Sequence, residues 1–283
     1  MRARQVWLLG DRQPSEFAAA AQWLTDRFTV RWLSSRAELE RDWGELSQGP
    51  APDWVVLLSS HPGEWQSADV LQIRTRFPVA RLVALLSSWH EGERRSGQPL
   101  AGVWSVMWHR WLPFLEGEWR ALQAGRAGCL AEPSTTSVTE LLLSERSDKS
   151  VVARRVAVWS AHPVTRAGLD ETLRQLGHEV VGAAGDAEVV IWDDIGWSHD
   201  QGESSACVGL AELVPEVNPA KVLVLAAGVR WQEAAAWQAQ GIGGVLAKPF
   251  LLSDLSWWIE HLAAVGAGRE PLVPLVGYAR SPV

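Results

Sequence analysis

The segment "RRVAVWSAHPVTRAGLDETLRQLGHEVVGAAGDAEVVIWDD", residues 154–194, alternates short apolar runs with one amphipathic stretch. Residues 154–163 are apolar and rich in valine, as in a buried strand. Residues 164–178 place several leucines near one helical face, which predicts a helix. Residues 179–184 and 187–194 predict two further strands. This alternation indicates an α/β domain with a parallel sheet.

The same rhythm continues to residue 265. Residues 220–228 and 243–249 predict a fourth and a fifth strand. Helices are predicted in 207–217, in the alanine-rich 231–241 and in 251–266. The strands are almost continuously apolar, which is typical of a parallel sheet that helices cover on both faces. We therefore expect five strands in the order 2-1-3-4-5, alternating with helices.

The first half of the chain repeats this pattern, so the fold class is predicted to be α/β, with two tandem domains that share one architecture. Strands are predicted at 5–11, 29–33, 53–60, 80–89 and 102–108. Helices are predicted at 15–28, 35–49, 69–77 and 114–125. The expected boundaries are a first domain at 1–127, a linker at 128–153, a second domain at 154–265 and an irregular tail at 266–283.

Composition and charge exclude several classes of protein. Of 283 residues, 47% are hydrophobic and 21% charged, as in globular domains. No apolar run approaches the ~18 residues that span a bilayer, and the apolar run near the start is too short for a secretory signal, so we expect a cytoplasmic protein with no membrane partner. The net charge of −7 argues against nucleic acid as a partner. Cys129 and Cys207 are too far apart in the sequence for a metal-ligand motif, and the histidines show no such spacing either. No metal and no cofactor are therefore expected.

Polar residues stand where three strands of the second domain end, and function in open α/β sheets gathers at this carboxyl edge. Ser160 and Ala161 end the first strand, Asp193 and Asp194 the third, and Lys248 the fifth. The chain has three lysines among its 26 basic residues, and the other 23 are arginines. A lysine is a compact charge that can reach a buried anion on a flexible stem. The strand order therefore predicts an ion pair between Asp193 and Lys248.

Three stretches of the second domain resemble the receiver domain of response regulators in two-component signalling. They are "VAVWSAHPVTRAGLDETLRQLGHEVVGAA" (156–184), "EVVIWDD" (188–194) and "LAKPF" (246–250). The resemblance covers 154–265 and implies two flavodoxin-like, receiver-like domains. It places Asp193 at the phospho-acceptor position and Lys248 at the position of the family's conserved lysine.

The departures from the receiver pattern predict a pseudo-receiver. Receivers end their first strand in an acidic pair that holds Mg²⁺, whereas this chain has Ser160 and Ala161. They end their fourth strand in Ser or Thr, whereas this chain has Ala226 or Ala227. Asp194 adds one adjacent carboxylate, but without the metal the phosphoryl charge is not neutralised. Phosphorylation of Asp193 is therefore disfavoured.

The first domain is predicted to be a more degenerate copy of the same fold. Leu58, Ser59 and Ser60 occupy the acceptor region, and the fifth strand is followed by "WLPF" without a lysine. We expect that this domain accepts no phosphate.

The predicted function is signalling or scaffolding by phosphate-independent protein–protein interaction, with no enzymatic activity. The expected partners are other signalling proteins, a second copy of the chain among them. The alternative is a response regulator that a histidine kinase phosphorylates on Asp193, with Mg²⁺ as cofactor. A third possibility is a small-ligand sensor that uses the crevice at the carboxyl edge.

Other motifs carry weaker predictions. Ser59–His61 and Ser160–His162 lack the GxSxG elbow of a serine hydrolase, and 182–188 lacks the glycine order of a dinucleotide site. Trp257 and Trp258 are adjacent, so at helical spacing one of them is expected to be exposed as an interface residue.

Overall fold

A computed structural model of the chain describes residues 4–11, 13–46, 48–91, 100–126, 128–131, 152–193 and 217–265. The chain divides into two compact units, with the described residues from 4 to 131 in the first and those from 152 to 265 in the second. Each unit contains a parallel five-stranded sheet. Among the described residues, no helix is both long enough and apolar enough to cross a membrane.

The first unit alternates strands and helices as the sequence predicts. Its strands are β1 (Gln5–Leu9), β2 (Thr29–Leu33), β3 (Trp54–Ser59), β4 (Arg81–Leu86) and β5 (Trp104–Met107). Its α-helices are α1 (Ala18–Arg27), α2 (Arg36–Leu46), α3 (Ser67–Arg76) and α4 (Trp111–Gln123). The strand order is β2-β1-β3-β4-β5, which confirms the predicted order 2-1-3-4-5 for this sheet.

Helices cover both faces of the first sheet because its central strands are apolar on both sides. On one face, Trp23 of α1 makes an edge-to-face contact with Trp119 of α4, with ring centroids 6.4 Å apart. On the other face, Trp7 of β1 lies 4.8 Å from the Phe77 ring, which follows α3. Trp43 of α2 completes this second layer, 6.1 Å from Phe77.

The second unit has strands β6 (Arg155–Ser160), β7 (Glu179–Val181), β8 (Val189–Asp193), β9 (Val222–Ala227) and β10 (Gly244–Lys248). Its described α-helices are α5 (Pro163–Gln175), α6 (Trp231–Ala239) and α7 (Leu252–Ala263). The sheet order is β10-β9-β8-β6-β7. Read from the β7 edge, the first strand of this unit also lies between its second and third strands.

The regular alternation of strands and helices is not complete in the second unit. Between β7 and β8 the chain forms only a short 3-10 turn, Ala184–Asp186. At the corresponding place in the first unit, α2 covers the sheet and Leu9 is fully buried. Without such a helix, Trp159 of β6 is 38% exposed and stacks on Trp192 of β8, with centroids 3.8 Å apart. The helix predicted at 207–217 lies almost entirely outside the described residues.

The start of the predicted linker packs against the first unit. Residues Cys129–Ala131 form a 3-10 turn in which Leu130 is buried. The backbone N–H of Leu130 donates to the carboxylate of Glu118 on α4, at 3.2 Å. The rest of the linker, apart from residues 152–153, and the tail at 266–283 lie outside the described residues, so the predicted domain boundaries stay predictions.

The prediction that Trp257 or Trp258 is exposed is wrong, because both side chains of α7 are buried. Glycines on β10 and just before it explain the difference. A Cβ on Gly244 would lie 2.6 Å from the Trp258 ring, so the absence of a side chain lets α7 approach the sheet closely. Trp257 stacks on His261, with ring centroids 4.9 Å apart. A helix that lies this close to a sheet buries a larger part of its circumference than a typical amphipathic surface helix does.

Candidate functional site

The candidate site lies at the carboxyl edge of the second sheet, where β6, β8 and β10 end. Asp193 is the last residue of β8 and is paired in register with Ser160 of β6. Lys248 is the last residue of β10 and lies opposite Ala227 of β9. Because β9 separates β8 from β10, the Lys248 side chain has to reach past a strand to meet Asp193.

Both carboxylate oxygens of Asp193 are engaged by side chains of the protein. Lys248 Nζ donates to Oδ1 at 2.7 Å, and the Ser160 hydroxyl donates to Oδ2 at 2.6 Å. The Asp193 side chain is 2% exposed, whereas that of Lys248 is 28% exposed. A carboxylate this deeply buried is stable only when it is paired and hydrogen-bonded. The ion pair that the sequence predicts is therefore present, and Ser160 completes it.

Ser160 is held in place by the loop that follows β6. Its hydroxyl oxygen accepts from the backbone N–H of His162 at 3.1 Å while the hydroxyl hydrogen points to Asp193. The His162 side chain is exposed and its ring makes no hydrogen bond to Ser160 within the described part of the chain. This arrangement orients Ser160 toward the carboxylate and gives no nucleophile–base pair of the kind a serine hydrolase needs.

The described residues around Asp193 do not fit a magnesium ion. Mg²⁺ requires octahedral oxygen ligands, usually one or two carboxylates with phosphate and water. Ser160 and the exposed Ala161 stand where the receiver pattern has two acids, and Ser160 donates its hydrogen toward Asp193. Within the described ranges, no three His, Cys, Asp or Glu side chains converge on one point. Asp194, the adjacent carboxylate of the sequence prediction, lies outside the described residues.

The end of β9 contributes small apolar side chains to this edge. Ala226 is buried and Ala227 is exposed, and neither carries the hydroxyl that receivers have at the end of their fourth strand. The described edge therefore holds an ammonium, a hydroxyl and one buried carboxylate.

In the described part of the first unit, the strand ends that correspond to those of Asp193 and Lys248 carry no charged side chain. Gly10 and Leu58 directly follow the last pair of the β1–β3 register, Leu9–Leu57, as Ser160 and Asp193 follow the pair Trp159–Trp192 in the second unit. Gly10 has a φ of 128°, and a Cβ there would lie 2.7 Å from the Leu58 carbonyl oxygen. Leu58 is buried, so this edge is closed by an apolar side chain where the second unit has a carboxylate.

Sequence reasoning missed a hydrogen-bonded cluster at the carboxyl edge of the first sheet. The Ser59 hydroxyl lies 3.1 Å from His90 Nε2, and His90 Nδ1 lies 3.4 Å from the Ser87 hydroxyl. Ser59, Ser87 and His90 are all buried. The Ser59–His61 pairing considered from the sequence does not form between the side chains, since Ser59 Oγ meets the His61 backbone carbonyl. His90 is 31 residues from Ser59, and no local motif connects them.

Known proteins assign no family to this chain. No family model matches the chain, and no curated protein matches it. It is similar to the solution structure of the Escherichia coli RcsC C-terminus, which contains a linker region and a phosphoreceiver domain. The identity is 18%, 92% of each chain is covered and the TM-score is 0.29.

Two enzymes are also among the similar solved structures. The tagatose-6-phosphate ketose/aldose isomerase of Escherichia coli is 10% identical, with 95% of this chain and 84% of that chain covered and a TM-score of 0.24. The phosphoglycerate oxidoreductase of Vibrio cholerae is 11% identical, with 93% and 96% covered and a TM-score of 0.22. At these scores the similarities assign no activity to this chain.

The prediction that the chain is not an enzyme is corrected by this result. Dehydrogenases and isomerases are among the structures to which the chain is similar, beside the phosphoreceiver protein. The parallel α/β architecture of this chain by itself gives no ground for excluding a reaction.

Proposed function

We propose that the chain is a signalling protein built from two receiver-like, flavodoxin-like units, and that it acts through protein–protein contacts that do not depend on phosphate. The proposal rests on one observation. Both oxygens of Asp193, the residue at the acceptor position, are held by Lys248 and Ser160 inside the protein. An acceptor carboxylate needs an exposed oxygen for in-line attack on phosphorus, with a metal beside it.

The receiver resemblance and the carboxyl-edge geometry support the signalling class. Asp193 and Lys248 end strands of one sheet, as the acceptor and the lysine do in that family. Ser160 replaces an acid and supplies a hydrogen bond to the carboxylate instead of a metal ligand. We infer that the unit has kept the receiver scaffold and its interaction surfaces while the phosphorylation site became a structural contact.

The rival function is phosphorylation of Asp193 by a histidine kinase, with Mg²⁺ bound at the same edge. The retained contact between Lys248 and Asp193, at 2.7 Å, favours this rival, because the lysine would then contact a phosphoryl group. Phosphorylation would require the hydrogen bond from Ser160 to Asp193 Oδ2 to break. It would also require metal ligands other than the described carboxylates.

Mass spectrometry of the intact protein after incubation with acetyl phosphate and Mg²⁺ separates the two functions. We expect no mass gain in the wild-type protein and none in Asp193→Asn. The double variant Ser160→Asp, Ala161→Asp restores the acidic pair of the receiver pattern. A mass gain in this variant alone would support the proposal that the missing acids are what prevents phosphorylation of the wild-type protein. A phosphoryl gain in the wild-type protein that Asp193→Asn abolishes would overturn the proposal and establish the rival.

A further inference from the structure

Trp89 is a large aromatic side chain held in a fixed position at the surface of the first unit. It lies in the 3-10 turn Ser88–His90 that follows β4, and it is 72% exposed. Its ring stacks against the exposed His61 ring, with centroids 6.0 Å apart and planes inclined by 27°. A tryptophan this exposed in a globular unit calls for an explanation, since binding hot spots are enriched in this residue.

Hydrogen bonds of three side chains fix the turn that carries Trp89. Ser87 caps it by accepting from the Trp89 N–H at 3.2 Å, and its hydroxyl donates to the Ser60 carbonyl at 2.6 Å. Glu16 accepts from both the backbone N–H and the hydroxyl of Ser88, at 3.2 and 2.8 Å. The buried His90 connects the turn to Ser59 at the end of β3. The indole is therefore presented on a preorganised turn, which lowers the entropic cost of binding through it.

Among the described residues, three carboxylates lie close to the segments that carry the two aromatic rings. Glu16 contacts Ser88, Glu64 accepts from the Ser60 N–H at 2.6 Å, and Glu91 follows the turn directly. Within the described residues, none of these three carboxylates forms an ion pair. Partial burial raises the pKa of the Glu91 carboxyl group, so a cation beside it would offset the cost of its ionisation.

We propose that this surface, defined by His61, Trp89, Glu16, Glu64 and Glu91, binds an arginine-bearing basic segment of a partner protein. A guanidinium can stack on the indole face and at the same time pair with a carboxylate in a forked geometry. A nucleic acid or another acidic surface would be repelled by the three carboxylates. This inference deepens the proposed function by naming the chemistry of a partner, and it rests on that function being recognition.

Fluorescence anisotropy with a labelled peptide that alternates arginine with glycine and serine tests the proposal on the chain of residues 1–283. We expect saturable binding that weakens as salt rises, and about a tenfold loss of affinity in Trp89→Ala, which corresponds to about 1.4 kcal/mol. Glu64→Gln and Glu91→Gln should each weaken binding severalfold and reduce its salt dependence. Trp89 is exposed, so the variant is expected to fold, and its circular dichroism and melting temperature check this.

The controls use matched positions in the second unit. Trp159→Ala removes another exposed indole, and Glu171→Gln neutralises an exposed glutamate of α5. Both should bind the peptide as the wild-type protein does. A lysine version of the peptide should bind more weakly than the arginine version because an ammonium does not stack as a planar guanidinium does.

Three results would overturn the proposal. The first is equal affinity of Trp89→Ala and wild type, and the second is equally tight binding of an acidic peptide of the same length. The third is a dimer in sedimentation velocity that Trp89→Ala converts to a monomer, because the surface would then accept a second copy of the chain. None of these depends on the acetyl phosphate experiment, so failure here and failure of the proposed function are distinguishable.

Discussion

The contact between Lys248 and Asp193 predicts a specific pattern of stability in a double-mutant cycle. Removing one partner of a buried ion pair costs about 3–5 kcal/mol, because a charge is left buried without compensation. Lys248 is 28% exposed and Ser160 still holds Oδ2, so water and the hydroxyl offset part of that cost. We therefore expect Lys248→Met to lower the free energy of unfolding of the second unit by roughly 2–3 kcal/mol.

The second arm of the cycle removes the charge that Lys248 neutralises. Asp193→Asn keeps an oxygen that can accept from Ser160 and leaves no buried anion. In the double variant, Lys248→Met should therefore cost much less than in the wild-type background, with a coupling energy of about 1–2 kcal/mol. The matched control is Arg174→Met, which breaks a pair with Glu171 whose side chains are 55% and 61% exposed. That change should stay within about 0.5 kcal/mol.

Urea unfolding followed by hydrogen–deuterium exchange of peptides from β8, β9 and β10 measures these energies for the second unit separately. Purely additive losses for Lys248→Met and Asp193→Asn would refute the reasoning, because they would mean that the two groups do not stabilise one another. A loss no larger than that of Arg174→Met would refute it as well.

Two further predictions concern pH and glycine. Burial lowers the pKa of the His178 imidazole, with Arg154 adding to the shift and Glu260 opposing it, and neither ring nitrogen has a hydrogen-bond partner in the described structure. Below the ordinary histidine pKa of about 6.5, the unfolded chain therefore binds more protons at this residue than the folded chain does. The free energy of unfolding keeps its full value above that pH and falls below it, by at most about 1.4 kcal/mol per pH unit. Melting curves of wild type and His178→Leu between pH 7 and 5 check this, and parallel slopes would contradict it. Gly10→Ala should destabilise the first unit by about 1–3 kcal/mol, because the φ of Gly10 is positive and the new Cβ would contact Leu58. Gly44→Ala in α2 introduces a Cβ with no atom within 4 Å and should stabilise the same unit by up to about 1 kcal/mol. Equal effects of the two substitutions on the melting temperature would contradict this prediction.

Much of the fold follows from local sequence pattern. Apolar runs bounded by glycine, proline or polar residues predict strands such as β3 and β9 to within two residues at either end. The parallel order follows because helices separate most strands. The predicted strands 179–184 and 187–194 leave no room for a helix between them, and the structure has only the 3-10 turn Ala184–Asp186 between β7 and β8.

The candidate site was predictable where it depends on residues at strand ends. Asp193 and Lys248 could be paired from the sequence because parallel strands bring their carboxyl ends to one edge. The role of Ser160 as a donor to Asp193 was not predicted, since it depends on rotamer and register. The contact between Ser59 and His90 was also missed, because a single histidine gives no signal of which strand it will meet.

The path of Lys248 past β9 has a consequence for how the second unit is assembled. The two charged groups are 55 residues apart in the chain, and their strands are separated by a third one. They can meet only after β8, β9 and β10 have all joined the sheet, so the contact stabilises the complete sheet and does not stabilise a partly formed one. We expect it to form after the folding barrier has been crossed, and therefore to slow the opening of the native unit while leaving the rate of its formation almost unchanged.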